Sequence, residues 1–340
     1  QIDRGGGAEQ YHADTKYTEA VVVAAEACAE DTKGQTCYIC TQALHWKTKE
    51  GLVRGCACRG TAGFAHVSCL AEQAKILEAE RVENNRESQW HRWHTCSLCK
   101  QDYHGVVRCA LGWACWKTYV GRPETDLFRV SATGLLGNGL SDAENYEDAL
   151  SVQEAELAMM RRLGAAEVTI IITQNNLAST YGELGRDEDA LRMQRDVYSG
   201  HMRIHGEEHY TTLVAAANYA ACLGRLKRVK ETKVLMRKTI PVARRVLGGS
   251  HELLIRLGSN YAGALFEDPN ATLDDIREAV TTLEDLERTA RRVLGGAHPF
   301  IAEIGSSLVQ SRSVLRAREA SESGDVNSMC AAVEAMARKE

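Results

Sequence analysis

The chain has 340 residues, of which 41 are lysine or arginine and 46 are aspartate or glutamate, giving a formal net charge of −5. This acidic balance excludes nucleic acid as the main partner, because phosphate binding needs a basic face. No apolar run approaches the ~18 residues that a membrane-spanning helix needs, so no membrane span is expected. Four prolines and 6% aromatic residues favour a mostly helical protein.

The first segment, residues 1–33, begins with glycines and continues into the alanine-rich stretch EAVVVAAEACAE. We predict a partly disordered N-terminal extension that includes a short helix. No signal-peptide pattern is present, which favours a cytoplasmic or nuclear protein. The first residue is Gln1 rather than Met, so the prediction does not cover a targeting signal ahead of it.

Residues 34–104 contain a dense cluster of cysteines and histidines. Pairs of the CxxC and CxC type, without a secretion signal, favour metal binding in a reducing compartment over disulfides. There are eight candidate ligands, seven cysteine sulfurs and one histidine nitrogen. They can form two tetrahedral sites with four protein ligands each and no position left for water, so we expect two structural Zn²⁺ ions. A single zinc with spare cysteines is the lesser alternative. The ligands in chain order are Cys37, Cys40, Cys56, Cys58, His66, Cys69, Cys96 and Cys99.

Two zinc-finger families with unrelated functions share the ligand order C4HC3. PHD fingers, which read histone tails, leave a longer gap between the third and fourth ligands and a shorter one before the histidine. Here one residue separates Cys56 from Cys58, and seven separate Cys58 from His66. The stretches CACRGTAGFAHVSCL and TCSLCKQDY therefore resemble the RING-CH finger of ubiquitin ligases. The 26 residues between Cys69 and Cys96 exceed that family's usual range.

The RING-CH resemblance implies a small α+β cross-brace finger in which the ligands interleave. It places Cys37, Cys40, His66 and Cys69 on the first zinc, and Cys56, Cys58, Cys96 and Cys99 on the second. It also implies docking of a ubiquitin-conjugating enzyme charged with ubiquitin, with rate coming from positioning of the thioester and no covalent intermediate on this chain. The implied docking contacts are Ile39, Leu98 and Trp93, with core packing as the alternative for each. Lys100 is implied to be the linchpin cation, with a solvated surface lysine as the alternative.

Residues 105–140 follow the finger. GVVRCALGWACWKTYV (105–120) predicts one apolar helix. After it come Pro123 and a group of glycines that includes Gly134, Gly137 and Gly139, a composition that predicts a linker.

Residues 141–340 show helical periodicity that repeats. Asn176, Asn218 and Asn260 each begin an Asn-x-Ala triplet, 42 residues apart, and His209 and His251 are also 42 apart. RRVLGGSH (244–251) returns at 291–298 with an offset of 47, the additional residues falling around Pro269. The sequence of each repeat predicts two helices, and Gly206, Gly248 and Gly295 are predicted to cap the C-terminal end of the second helix. Stacked pairs bury a shared core and form an all-α solenoid.

The segment NNLASTYGELGRDEDAL (175–191) resembles a tetratricopeptide repeat of the kinesin light chain type. This resemblance implies a solenoid that binds a protein or peptide client, ending in a C-terminal cap. Asn176, Asn218 and Asn260 are implied to line its groove, with helix-to-helix packing as the alternative.

Together these features favour a ubiquitin ligase with a substrate-recruiting repeat domain. The second hypothesis is a non-catalytic zinc-finger and repeat adaptor, and the third is a histone reader.

Overall fold

The computed structural model describes residues 6–84, 89–294 and 299–323. These residues form twelve α-helices and one short 3₁₀ turn, Trp90–Trp93. The helices are α1 (Gly6–Ala27), α2 (Val67–Asn84), α3 (Gly105–Tyr119), α4 (Leu127–Asp142), α5 (Tyr146–Arg162), α6 (Glu167–Glu183), α7 (Asp187–His205), α8 (Tyr210–Arg225), α9 (Val229–Leu247), α10 (Glu252–Phe266), α11 (Leu273–Leu294) and α12 (Pro299–Ser323).

The predicted α+β character of the finger needs correction. Among the described residues, its β-structure is limited to two isolated antiparallel bridges, Val53–Ala65 and Thr95–Asp102, and no strand is present. Each bridge joins its two segments at a single residue pair, so neither extends into a ladder. The ligand-bearing segments are therefore loops and turns, and the regular structure of the chain is helical.

The chain divides into two compact units, Gln1–Leu184 and Gly185–Glu340. In the first unit the finger shares a core with helices on either side of it in sequence. Val21 of α1 and Leu111 of α3 are buried in the same cluster as Phe64 and Val67 of the finger. Residues 6–27, expected to be a partly disordered extension, form the 22-residue helix α1. The apolar helix predicted after the finger is α3.

The glycine-rich segment that predicted a linker forms helix α4, which packs along α3. A Cβ added to Gly139 would lie 2.9 Å from the carbonyl oxygen of Arg108, and one on Gly112 would lie 3.0 Å from that of Leu135. The two backbones therefore approach as closely as glycine allows. Here glycine reflects close helix packing rather than a flexible connection.

In the second unit, helices α7 to α12 contact one another in chain order, and α8 to α12 share one apolar core. Gly206 and Gly248 follow α7 and α9, as predicted, with φ of +80° and +77° and ψ of 176° and 162°. This combination is essentially restricted to glycine, although it differs from the left-handed helical cap in ψ. The side chains of His209 and His251 accept hydrogen bonds from the backbone N–H groups of Thr211 and Leu253, so these repeated histidines cap α8 and α10.

Some predicted features fall outside the described residues. The cap glycine Gly295 and residues 324–340 of the predicted C-terminal cap belong to this group. Within the described part of the chain, no helix combines the length and apolar character needed to cross a membrane.

Candidate metal centre

The structure brings the first predicted ligand set together. The ligand atoms of Cys37, Cys40, His66 and Cys69 all lie within 4.8 Å of one another. Cys37 and Cys40 belong to a tight turn. His66 follows the bridge residue Ala65, and Cys69 lies in the first turn of α2. The turn supplies Cys37 and Cys40, and the start of α2 with the residue before it supplies Cys69 and His66.

The second set assembles in the same interleaved manner. The Sγ atoms of Cys56, Cys58, Cys96 and Cys99 lie within 4.8 Å of one another, and those of Cys58 and Cys96 are 3.8 Å apart. Cys56 and Cys58 come from the segment between the two halves of the first set. Each four-residue group therefore joins two parts of the chain, with the members of the other group between them in sequence.

The donor chemistry fits structural zinc. Four ligands at zinc–sulfur and zinc–nitrogen distances of about 2.3 and 2.0 Å would be separated by roughly 3–4 Å. The Nδ1 atom of His66 faces the sulfurs of Cys40 and Cys69 at 3.3 and 3.6 Å, while its Nε2 lies 3.4 Å from the carbonyl oxygen of Ala43. A carbonyl on the far nitrogen of the ring is the usual support for a histidine ligand.

Backbone N–H groups support the sulfurs. The N–H groups of Ile39 and Leu98 point at the Sγ atoms of Cys37 and Cys96, each at 3.4 Å. Such donors favour the thiolate form, which is the form that binds metal.

Several of the candidate ligands have pKa values shifted from those of exposed side chains. Burial raises the pKa of the Cys56 and Cys69 thiols above the usual value of 9.0. At Cys99 burial acts in the same direction, but hydrogen bonds from the Gln101 N–H and the neighbouring cysteines outweigh it and lower the pKa to about 7. Burial also lowers the pKa of His66, which favours the neutral, metal-binding imidazole.

The two CxxC turns have matching geometry. In each, the N–H of the first cysteine donates to the carbonyl five residues later, Cys37 to Gln42 at 3.0 Å and Cys96 to Gln101 at 2.9 Å. The residue after the second cysteine, Thr41 or Lys100, has φ of +63° in both. Ile39 and Leu98 consequently occupy the same position in two equivalent turns.

A hydrogen bond joins these turns beside the predicted docking residues. Tyr38 Oη and Ser97 Oγ are 2.9 Å apart. Ile39 is half-buried, whereas Leu98 is 48% exposed. The sequence analysis did not identify this hydrogen bond. The only sequence signal for it is that Tyr38 and Ser97, both polar, each follow the first cysteine of their turn.

Lys100 is exposed, and its Nζ donates to the Ser97 carbonyl at 2.6 Å.

Trp93 is not placed as a docking contact. Its side chain is 1% exposed and packs in a cluster with Ala71 of α2 and Tyr119 of α3, with 5.9 Å between the Tyr119 and Trp93 rings. Helix α3, which follows the finger directly, covers the indole. This burial favours the core-packing alternative for Trp93 over contact with a conjugating enzyme.

The three repeated asparagines each bond to a neighbouring helix pair. Asn176 donates to the side chain of Asn138 on α4 at 3.0 Å, and Asn260 donates to the Ala217 carbonyl on α8 at 3.0 Å. Asn218 accepts from Arg256 on α10 at 3.0 Å. All three are half-buried. These contacts favour the packing alternative for at least one polar atom of each amide, and their role in a client groove stays a prediction.

The repeat region matches known proteins. A family model described as tetratricopeptide repeat (TPR_10) matches residues 171–210, which include most of α6 and all of α7. No curated protein matches the chain. Among solved structures, BtubC (BKLC) from P. vanneervenii is 11% identical with a TM-score of 0.48, the match covering 80% of this chain and 88% of that one. Kinesin-light-chain repeats from Podosopora anserina, described as nearly identical TPR-like repeats, are 18% identical with a TM-score of 0.44, covering 63% and 94%.

Proposed function

We propose that this chain is a RING-CH-type ubiquitin ligase whose helical repeats recruit a protein client. The observation that carries the proposal is the interleaving of the two ligand groups, with His66 in the group of Cys37 and not in that of Cys56. Combined with the C4HC3 order and the short gap between Cys56 and Cys58, this arrangement is typical of cross-braced ligase fingers.

The proposed docking face is the pair of CxxC turns. Two zinc ions would hold these turns and supply no reactive group. Ile39 and Leu98 would contact the conjugating enzyme, because they occupy equivalent positions and Leu98 is exposed. The Tyr38–Ser97 hydrogen bond would fix the spacing between them. The chain would accelerate transfer by holding the ubiquitin thioester in a reactive orientation toward a client lysine.

Lys100 would act beside this face as a hydrogen-bond donor. Its side chain is exposed, next to the ligand Cys99. In the free chain its ammonium donates to the Ser97 carbonyl, and a bound partner would have to offer a stronger acceptor. Lysine provides a point charge here rather than the planar fork of arginine.

The repeats support a role in protein binding. Stacked helix pairs present extended surfaces that recruit peptides or folded partners. Such a domain in the same chain as a ligase finger would tether the client to the protein that holds the thioester.

A reconstituted assay tests the proposal. Purified full-length chain is mixed with ubiquitin, activating enzyme, ATP and a broad panel of conjugating enzymes, and chain formation is followed on gels. We expect at least one conjugating enzyme to give products that are lost in Cys37→Ser and Cys96→Ser and reduced at least tenfold in Leu98→Ala. The matched control is Leu127→Ala, since Leu127 is 79% exposed at the start of α4, outside the finger. If no conjugating enzyme in the panel gives products that depend on Cys37 and Cys96, the ligase proposal is refuted.

The second candidate is a non-catalytic adaptor. The burial of Trp93 favours it, because the proposed docking face then lacks an aromatic contact. An adaptor would bind its partners with intact zinc sites and give no ubiquitin products. A histone reader, the third candidate, would bind histone tail peptides, which neither of the others predicts.

A further inference from the structure

Three histidine rings stack on one another at the turn between α7 and α8. His201 and His205 lie one helical turn apart on α7, and His209 is the N-cap residue of α8. The ring centroids of His201 and His205 are 5.6 Å apart, and those of His205 and His209 are 4.4 Å apart. The ring planes differ by 26° in the first pair and by 19° in the second. These three residues are called the histidine stack below.

The other repeats have apolar residues at the positions of His201 and His205. In the next repeat, 42 residues later, these positions hold Ala243 and Leu247. The burial is the same in both repeats, since His201 and Ala243 are buried and His205 and Leu247 are half-buried. The equivalent residues of the two remaining repeats are also apolar, namely Met159, Leu163, Ala290 and Leu294. The packing of this turn therefore does not require imidazole rings.

Both ends of the histidine stack favour uncharged rings. The side chain of His201 is 8% exposed, and its Nδ1 is buried without a hydrogen-bond partner among the described residues. Burial lowers the pKa of His201, and the neighbouring His205 and His209 lower it further. At the other end, Nδ1 of His209 accepts a hydrogen bond from the Thr211 N–H at 3.3 Å. A ring nitrogen can accept this bond only when it carries no proton.

The two carboxylates of the turn are engaged with α9. Glu208 accepts a hydrogen bond from Arg245 of α9 at 2.5 Å. Glu207 lines a cavity of about 10 Å³ together with Tyr198 and with Lys238 of α9. Each carboxylate thus has a cation of α9 beside it or in the same cavity lining.

The remaining titratable groups near the turn do not offset a positive charge on the stack either. Arg203 lies two residues from both histidines of α7, and residues two apart on a helix do not face each other. On α8, the ring of Tyr210 contacts His251, with centroids 5.8 Å apart. The electrostatic influences on His201 accordingly come from the other two rings of the stack.

We propose that the histidine stack holds the turn between α7 and α8 closed while its rings are neutral, and opens it when more than one ring is protonated. Two imidazolium rings with centroids 4.4 Å apart repel each other, and His205 is half-buried, so solvent screens this repulsion only in part. Protonation of Nδ1 of His209 also removes the acceptor of the Thr211 N–H, so α8 loses its cap in the same step. The inference is independent of the ligase proposal, because it concerns residues of the second unit alone.

The direction of the effect follows from proton linkage. The usual pKa of a histidine is 6.5, and the folded chain holds a proton on His201 less tightly than that. The unfolded chain therefore binds more protons, and the stability of the closed turn is lost as the pH falls below about 6.5. The turn between α9 and α10 has the equivalent cap, His251, but has Leu247 in place of His205, so it should respond less.

Hydrogen exchange of the zinc-loaded full chain, followed by mass spectrometry at pH 7.5 and 5.5, tests this inference. Rates are corrected for the intrinsic pH dependence of amide exchange, and a peptide-level readout separates this turn from any loss of zinc in the finger. We expect the amides of residues 206–214 to exchange at least tenfold faster at pH 5.5 after correction. Residues 248–256, around His251, should change at least threefold less and serve as an internal reference.

Two variants introduce the residues of the next repeat. His205→Leu removes the central ring, and His201→Ala/His205→Leu removes both rings of α7. In each variant, residues 206–214 should respond to pH no more than the internal reference does. His12→Ala, which removes an exposed imidazole from α1, is the control and should keep the response of the unchanged chain. Equal corrected rates at the two pH values in the unchanged chain, or an undiminished response in His201→Ala/His205→Leu, would overturn the inference.

Discussion

Tyr38 and Ser97 lie 59 positions apart in the chain, yet their hydroxyl oxygens are 2.9 Å apart. The bond joins the turn that carries Cys37 and Cys40 to the turn that carries Cys96 and Cys99. Because each turn belongs to a different ligand group, this contact couples the two candidate zinc sites on the side where Ile39 and Leu98 lie.

Tyr38→Phe should weaken this coupling. The change removes one side-chain hydrogen bond from a half-buried position, which costs about 1 kcal/mol. Ser97→Ala should cost a similar amount, and the double variant should cost less than the sum, because both changes break the same bond. Urea unfolding of the zinc-loaded chain measures the three values. Additive effects would show that the hydroxyls do not interact in solution.

Gly139→Ala should destabilise the first unit. Its new Cβ would meet the backbone of Arg108 and Cys109 at 2.9 and 3.0 Å, and neither atom can move without displacing α3. Overpacking of this kind typically costs about 1–3 kcal/mol. Gly121→Ala is the matched control, since a Cβ there has no neighbour within 4 Å. Thermal unfolding of the two variants should differ clearly, and equal melting temperatures would argue against the close approach of α3 and α4.

Glu156 should make the stability of the first unit depend on pH. It is buried in α5, near Thr173, and burial raises its pKa from 4.5 to about 7. The folded chain therefore holds this proton more tightly than the unfolded chain. Stability from this group is present below pH 4.5 and is lost as pH rises through about 7, by up to about 3 kcal/mol.

Glu156→Gln tests that dependence. The amide has nearly the same shape but no charge, so the variant should be the more stable above pH 7 and should show a flatter profile between pH 4.5 and 8. Glu147→Gln, on the exposed first turn of the same helix, is the control and should keep the slope of the unchanged chain. Urea midpoints across that range provide the comparison, and parallel profiles for all three proteins would contradict the burial of a charged Glu156.

The sequence predicted the repeat well because its markers have local causes. Gly206 and Gly248 recur since the chain leaves each helix there with a positive φ, and His209 and His251 recur since each caps the next helix. Lys227 shows the limit of such signals. It stands where the preceding repeat has Gly185, and it takes φ of +53° without glycine.

The pairing of the metal ligands was also accessible, although through resemblance rather than through spacing alone. The burial of Trp93 could not be predicted from the sequence, because it depends on Tyr119 and Phe128, which lie in helices that follow the finger. The glycines of α4 misled composition-based reasoning for a related reason. Glycine at a helix crossing and glycine in a linker look alike until the partner helix is known.

Native mass spectrometry of the intact chain tests the interleaved two-zinc finger most directly. The account predicts two zinc ions per chain, and one in Cys40→Ser/Cys69→Ser, since both changes fall in the same ligand group. Cys40→Ser/Cys58→Ser removes one ligand from each group and should retain no zinc. A single zinc or an iron ion in the unchanged chain, or zinc retained by the second variant and lost by the first, would contradict the account.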